Sequence, residues 1–344
     1  MVCASYCDTI GFKNSEWEFN YGMELQTLDQ FYIATNTILE NYIYLGGRNM
    51  DISKLIASDD TILLLATIKG IKLQNHRQAI MDYRHLLVED KRFSGINTLE
   101  QLKWIDKHPD KFVLYNEKAG GNGAAIRTAP IGIVYDDIGQ VIYNSLFNSV
   151  QTHNQVLGYL GGISVACITF FAKNKIKPTE WFTELIKLEE MKKIDHVIEN
   201  SNYPDKQKYV LGKDSFWNKI MDYNEFRMPK ILKRNFEKNI DRYRYLLRLL
   251  RPNYINSKFV HLGASGLEAV ILSYEAIMLS YNEKEDLIDF EKLLYYGVLH
   301  FGDNDSTGAI VGAWYAAYHK TIPKNIQINK LEFIDEINQN ISEL

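Results

Sequence analysis

Two short acidic clusters stand near opposite ends of the chain, Ser58-Asp59-Asp60-Thr61 and Gly302-Asp303-Asn304-Asp305-Ser306-Thr307. Each precedes an apolar stretch, Thr61 to Ile68 and Ala309 to Tyr318, so each reads first as an acidic helix start. There, carboxylates and hydroxyls cap free backbone N–H groups and sit favourably in the helix dipole. Capping uses one oxygen per helix, whereas each cluster supplies two carboxylates plus hydroxyls. If the two starts meet, their carboxylates repel one another strongly unless a cation neutralises them. The donors are all hard oxygens without an adjacent His or Cys, which favours Mg²⁺, Mn²⁺ or Ca²⁺ over zinc. Spacing along the chain does not bring the two clusters together; a fold has to.

A third segment, Ala119-Gly120-Gly121-Asn122-Gly123-Ala124-Ala125-Ile126-Arg127, is rich in glycine and small residues. Such a turn lets backbone N–H groups approach an anion. It has no Gly-Lys-Ser/Thr and is no Walker A loop, and Ile126 stands where a dinucleotide fingerprint needs Gly or Ala. A tight turn with close packing explains it equally well. Cys3-x-x-x-Cys7 has no second pair to complete a metal site, and the eight histidines show no His-x-x-x-His motif. His153, in Gln151-Thr152-His153-Asn154, reads on its own as a capping or structural histidine.

The elements that must position these residues are mostly helical. Phe236, Ile240, Tyr243, Leu246, Leu247 and Leu250 recur at helical spacing. Ser265-Gly266-Leu267-Glu268 has the form of a capping box opening a helix through Met278, and Pro178-Thr179-Glu180 opens another toward Ile194. Phe112 to Tyr115 is the best strand candidate in a weak set. With 344 residues, 46% apolar and 24% charged, the chain can bury a large core, and one all-α domain over 1–344 is expected. The 39 basic and 43 acidic residues give a net charge of −4, which argues against a nucleic-acid partner or an anionic membrane surface. Three cysteines make no disulfide framework, and the start lacks the pattern of a signal peptide. The run Tyr159 to Ala172 is 14 residues, too short for a span of ~20. A soluble, cytoplasmic monomer is the expectation.

Taken in order, these segments resemble the ADP-ribosylhydrolase (ADP-ribosylglycohydrolase) family, most closely its arginine-specific branch. Cys7-Asp8-Thr9-Ile10-Gly11 followed by Trp17-Glu18-Phe19 is similar to the family's Gly-Asp-Ala-Leu-Gly start and the branch's Trp-Glu-Phe. Ser58 to Thr61, running into Leu65-Ala66-Thr67, resembles the first metal motif, and Gly302 to Thr307 the second. Gly120 to Arg127 resembles the ligand loop, and Thr152-His153 with Gly158-Tyr159-Leu160-Gly161 a further segment. The resemblance implies a compact all-α bundle with two Mg²⁺ ions, Mn²⁺ being the alternative, held between the two helix starts. It implies Ser58, Asp59, Asp60, Asp303, Asp305 and Ser306 as the metal shell, with Asp305 as a bridge. It further implies catalytic roles for Asp59, Asp60 and Glu18, and ADP-ribose contacts from Lys118, Gly120, Gly121, Asn122, Gly123, His153, Ser265 and Gly266. The activity implied is Mg²⁺-dependent hydrolysis of the N-glycosidic bond between ADP-ribose and arginine on a protein substrate.

The chain departs from the pattern at three places. Cys7 replaces a Gly, Glu117 beside Lys118 replaces a Ser ahead of the ligand loop, and Leu262-Gly263-Ala264-Ser265-Gly266-Leu267-Glu268 replaces a Trp-containing Gly-Ser-Ser-Gly-His-Asp segment. Two further readings therefore stand beside the first: hydrolysis of O-linked ADP-ribose (on serine, acetate or a nucleic acid end), and binding of ADP-ribose without turnover. The complete set of motif aspartates favours turnover.

Overall fold

The computed structural model describes residues 1–19, 25–233, 238–251, 261–324 and 326–342. Its helices are α1 (Val2–Phe12), α2 (Leu28–Tyr44), α3 (Asp59–Leu73), α4 (His76–Asp82), α5 (Arg84–Leu87), α6 (Ile96–Lys107), α7 (Ala129–Val134), α8 (Ile138–Ser149) and α9 (Val156–Lys173). There follow α10 (Trp181–Glu190), α11 (Lys193–Asn200), α12 (Lys206–Phe226), α13 (Met228–Ile231), α14 (Asn239–Leu250), α15 (Gly266–Ser280), α16 (Phe290–Gly297), α17 (Asn304–His319) and α18 (Ile334–Ser342). The sheet among the described residues is one antiparallel pair, Tyr281–Asn282 with Leu287–Ile288. The fold is all-α, as the periodicity predicts.

The centre of the fold is built from helices that hide nearly every side chain. In α1 and α15 all residues are buried, and α17 is buried except at Ala316 and His319. Helix α9 is long and apolar enough by composition to cross a membrane, but 83% of it is buried, packed against α7, α8, α15 and α17, so its apolarity supplies the core. Among the described helices, α1 and α17 pack along one another most extensively. Gly11 permits this: a Cβ there would stand 2.7 Å from the Asp305 Cα, so the second acidic motif is pressed against the end of α1.

Several expected elements form with adjusted ends. Ser58 caps α3, accepting from the Asp60 N–H at 3.1 Å. Ser265 caps α15 through the Glu268 N–H at 3.2 Å, and that helix continues to Ser280. The Glu268 carboxylate is spent elsewhere, on the Arg251 guanidinium and the Gly263 N–H. The helix opened by Pro178 stops at Glu190, because Lys192 takes a left-handed backbone (φ 55°) and a separate helix begins at Lys193. Phe112 to Tyr115 forms no strand; the Val113 carbonyl accepts from the Asn154 side chain at 2.8 Å instead of from a neighbouring strand. Of the 236–250 pattern, α14 starts at Asn239, and Phe236 lies outside the described residues.

Candidate active site

The fold brings the two acidic helix starts together. Asp59 and Asp60 at the start of α3, Asp303, Asp305 and Ser306 at the start of α17, and Glu18 after α1 line one cleft of about 420 Å³. Carboxylate oxygens of Asp8, Asp60 and Asp305 all lie within 4.8 Å of one another, as do those of Glu18, Asp303 and Asp305. Asp305 belongs to both groups. Glu18 is set there by the backbone, since the Phe19 N–H donates to the Gly302 carbonyl at 2.8 Å.

Asp8 is the residue that motif reading left without a role. It is fully buried on α1 and receives the Ser58 hydroxyl at 2.7 Å, the Thr61 hydroxyl, and the N–H groups of Ser58 at 3.4 Å and Thr61 at 3.2 Å. Both its oxygens thus organise the first turn of α3, and Ser58 orients through it while capping Asp60. The signal was present in the sequence: Asp8 is the lone charge between Val2 and Phe12.

The electrostatics ask for a cation. Burial pushes the Asp8 carboxyl up to about 6 and, with the charges of Asp8 and Asp303, the Asp59 carboxyl up to about 7. Burial, reinforced by neighbouring carboxylates, holds Glu18, Asp60 and Asp305 well above the ordinary range. Asp303 is raised by burial too, against hydrogen bonds from Ser306 and Asn122. Glu18 Oε2 and Asp60 Oδ2 are buried without a hydrogen-bond partner among the described residues, which a purely structural cluster would leave at a cost of ~1–3 kcal/mol each. Hard oxygens with orphaned lone pairs at mutual distances under 4.8 Å fit one or more divalent cations.

The Gly-rich segment forms another part of the same cleft through Gly121, Asn122 and Gly123. It folds as a 3-10 turn, Asn122–Arg127, instead of an α-helix start. Asn122 joins it to the acids, donating from Nδ2 to Asp303 at 2.9 Å and to the Gly263 carbonyl at 3.0 Å. The divergent 262–266 segment acts as a clasp: the Asn122 N–H donates to Ala264, the Asp303 N–H to Leu262, and the Gly266 N–H to Gly120. His153 lines the cleft with its Nδ1 2.8 Å from the Thr152 hydroxyl, and burial lowers it to about 3, so it is neutral. Gly123 must lack a side chain, because a Cβ there would stand 2.5 Å from the His153 ring. Beneath both lies Arg127, wholly buried, whose guanidinium donates to the Gly123 carbonyl, the Thr152 hydroxyl and the side chain and carbonyl of Asn148, each at 2.8 Å. That guanidinium fixes loop and histidine together, a positioning role the sequence did not disclose.

Not every residue named from the sequence reaches the cleft. Ser58 sits behind it as the α3 cap, and Ser265 caps α15. Gly120 and Gly266 serve close packing, with Cβ positions 2.9 Å from the Gln155 side chain and 2.3 Å from the Leu157 carbonyl. Lys118 is exposed and stands outside the cleft lining; its carbonyl accepts from Asn97 at 3.0 Å. Lining residues that motif reading did not reach include Phe93, Gly95, Ile96 and His261.

An all-α fold that gathers carboxylates from two helix starts beside a glycine-rich loop defines a class of acid-lined, cation-binding proteins. The chain belongs to the ADP-ribosylglycohydrolase family, whose sequence profile matches residues 4–344. It is similar to a putative ADP-ribosyl glycohydrolase, L444, of Acanthamoeba polyphaga mimivirus, at 30% identity over 97% of this chain and 66% of that protein. It is also similar to the ADP-ribosylhydrolase ARH1 of Dictyostelium discoideum, at 28% identity over 93% of this chain and 85% of that one. The chain thus spans about two thirds of the mimivirus relative. Among solved structures, an ADP-ribosylglycohydrolase-related protein complex shares the fold, with a TM-score of 0.54 and 14% identity over 83% of this chain and 79% of that chain.

Proposed function

We propose that this protein hydrolyses the N-glycosidic bond of mono-ADP-ribosylated arginine and releases ADP-ribose. The observation that carries the reading is the pair of carboxylate groups sharing Asp305 inside a cleft that Gly121–Gly123 and His153 also line. Membership of the family and the similarity to a protein named ARH1 support it. Mg²⁺ ions, or Mn²⁺ in their place, held by Asp59, Asp60, Asp303 and Asp305 with the Ser306 hydroxyl, would neutralise the cluster and acidify a water.

The chain's own groups account for the rest. Water adds its oxygen to the anomeric carbon as the carbon–nitrogen bond to the guanidine breaks. The water proton passes to a carboxylate, for which Asp60 is suited by its orphaned Oδ2, and the departing guanidine takes up a proton. The remaining carboxylates stabilise the positive charge that develops on the ribose. Glu18, buried at the cleft with its Oε2 unpartnered among the described residues, is the group suited to pass a proton to the departing guanidine. The Gly121–Gly123 backbone and the neutral His153 ring offer the diphosphate an uncharged wall.

The test is release of ADP-ribose from two matched substrates, modified on arginine or on serine, with Mg²⁺ and with a chelator. Metal-dependent release from the arginine substrate alone is expected. Release from serine alone, or binding of ADP-ribose with no release from either, replaces this reading by the O-linked hydrolase or by the non-catalytic binder.

A further inference from the structure

The approach to the first acidic motif is held by side chains from distant parts of the chain. The Ile56 N–H donates to the Asn14 side chain at 2.9 Å, and the Ser58 N–H to Asp8 at 3.4 Å. Between them stands Ala57, wholly buried, whose peptide groups would ordinarily be taken by a helix, a strand or water. An ion pair takes both. Glu332 Oε2 accepts from the Ala57 N–H at 2.9 Å, and Arg92 Nη1 donates to the Ala57 carbonyl at 2.8 Å. The two charged groups also meet each other, Nη1 to Oε2 at 2.7 Å and Nη2 to Oε1 at 2.8 Å.

Each partner is itself tied to the site. Arg92 is 2% exposed, with the Phe333 ring 5.4 Å from its guanidinium and its Nε donating to Glu89 at 3.3 Å. Its fork meets Glu332 in the bidentate geometry that a lysine cannot reproduce. Arg92 roots the segment whose Phe93 and residues 95–98 line the acid cleft, and Glu332 precedes α18, which packs on α3. One residue after Ala57, Ser58 caps α3, and Asp59 and Asp60 follow into the cleft. The carboxylates of Asp8, Asp60 and Asp305 lie within 4.8 Å of one another and repel, which presses the α3 start away from α1 and α17. The closed ring of charge-assisted hydrogen bonds around Ala57 opposes that push one residue ahead of the motif.

We propose that Arg92 and Glu332 are positioning residues for the cation site: by fixing the Ala57 peptide they set where Asp59 and Asp60 stand before an ion arrives. The inference rests on the reading of the acidic cleft as a cation site, and it extends that site to a residue pair outside the cleft. A merely structural ion pair would contribute to stability alone. A clamp on Ala57 contributes to cation affinity as well, because carboxylates already in place need no rearrangement when the ion binds.

The experiment uses the full chain and measures the Kd of Mg²⁺ by calorimetric titration, beside Tm in chelator, for the wild type and its variants. Glu332→Ala and Arg92→Met each open the clamp and should raise the Mg²⁺ Kd about tenfold, the lower end of what groups orienting a metal ligand contribute. Glu332→Gln keeps an acceptor for the Ala57 N–H and should fall between the wild type and Glu332→Ala. Tyr83→Phe removes the hydrogen bond from Tyr83 to Glu336, another anchor of the segment that carries Glu332. It should lower Tm and leave the Mg²⁺ Kd at the wild-type value. An unchanged Mg²⁺ Kd in Glu332→Ala and Arg92→Met, whatever their Tm, overturns the inference, as does an equal rise in Tyr83→Phe. Should Glu332→Ala and Arg92→Met not fold, Glu332→Gln against Tyr83→Phe decides: a higher Kd in the former supports the clamp, and equal values overturn it. A wild type that binds no Mg²⁺ overturns the cation reading and this inference with it; wild-type binding that the variants leave untouched overturns this inference alone.

Discussion

Stabilisation by Mg²⁺ should grow with pH, by an amount the buried carboxylates fix. In the cation-free fold Asp8 titrates at about 6 and Asp59 at about 7, against ordinary values of 3.8. Raised carboxyl pKa values mean that the fold keeps protons which the unfolded chain releases. That contribution is fully present below pH ~4 and is lost as pH rises through 6 and 7. A cation replaces those protons, so its advantage is small at pH 5 and large at pH 7.5. Each proton displaced is worth about 1.4 kcal/mol per pH unit, and a single proton over pH 5 to 7 gives about 3 kcal/mol. At ~2 °C per kcal/mol for a chain of this size, the Mg²⁺-induced rise in Tm should widen by roughly 5 °C across that window. The buried His153 and His300 and the half-buried His76 have lowered pKa values and tilt stability the opposite way. They do so with and without the cation and cancel in the difference. Calorimetric scans at pH 5, 6 and 7, each with Mg²⁺ and with a chelator, read the effect directly. A Mg²⁺ shift in Tm that is constant with pH refutes the reasoning, because it would show that no protons leave the carboxylates when the ion arrives.

Three further outcomes follow from the same geometry. Asp60→Asn should cut ADP-ribose release by 10²–10⁴-fold, and because it removes a buried like charge its Tm in chelator should match or exceed the wild type; unchanged turnover excludes Asp60 as the base. Gly123→Ala should push His153 aside, lower stability by about 1–3 kcal/mol and weaken ADP-ribose binding, which calorimetric titration would show. Arg127→Leu should destabilise the fold by about 3 kcal/mol in denaturant titration, since it strands the buried Gly123, Thr152 and Asn148 acceptors.

What could be read from the sequence and what could not divide along physical lines. The N-caps of α3 and α15 were legible because capping is local chemistry, a side-chain oxygen and an N–H two or three residues on. The hard-oxygen donor set was legible residue by residue, whereas the meeting of the two motifs came from resemblance. It depends on α1 lying between them, with Gly11 against Asp305 and Asp8 against Ser58 and Thr61. Helix α1 is buried on all sides and shows no amphipathic stripe, so nothing in its periodicity marks Asp8 as special. Arg127 and the 262–266 clasp act through backbone carbonyls and N–H groups, which every residue has and no motif records. Phe112 to Tyr115 looked like a strand because aromatic and β-branched residues suit one; pairing is non-local, and Asn154 took the carbonyl instead.

The most direct measurement is ADP-ribose release from an arginine-linked substrate as a function of free Mg²⁺, for the wild type and for Asp305→Asn. Asp305 is shared by both carboxylate groups found among the described residues, so its loss weakens both of those candidate cation positions. The account predicts no release in chelator, saturable activation of the wild type by Mg²⁺, and a Mg²⁺ requirement raised at least tenfold, with little residual turnover, in the variant. Full wild-type release in chelator, or an Asp305→Asn curve that overlays the wild type, would contradict it.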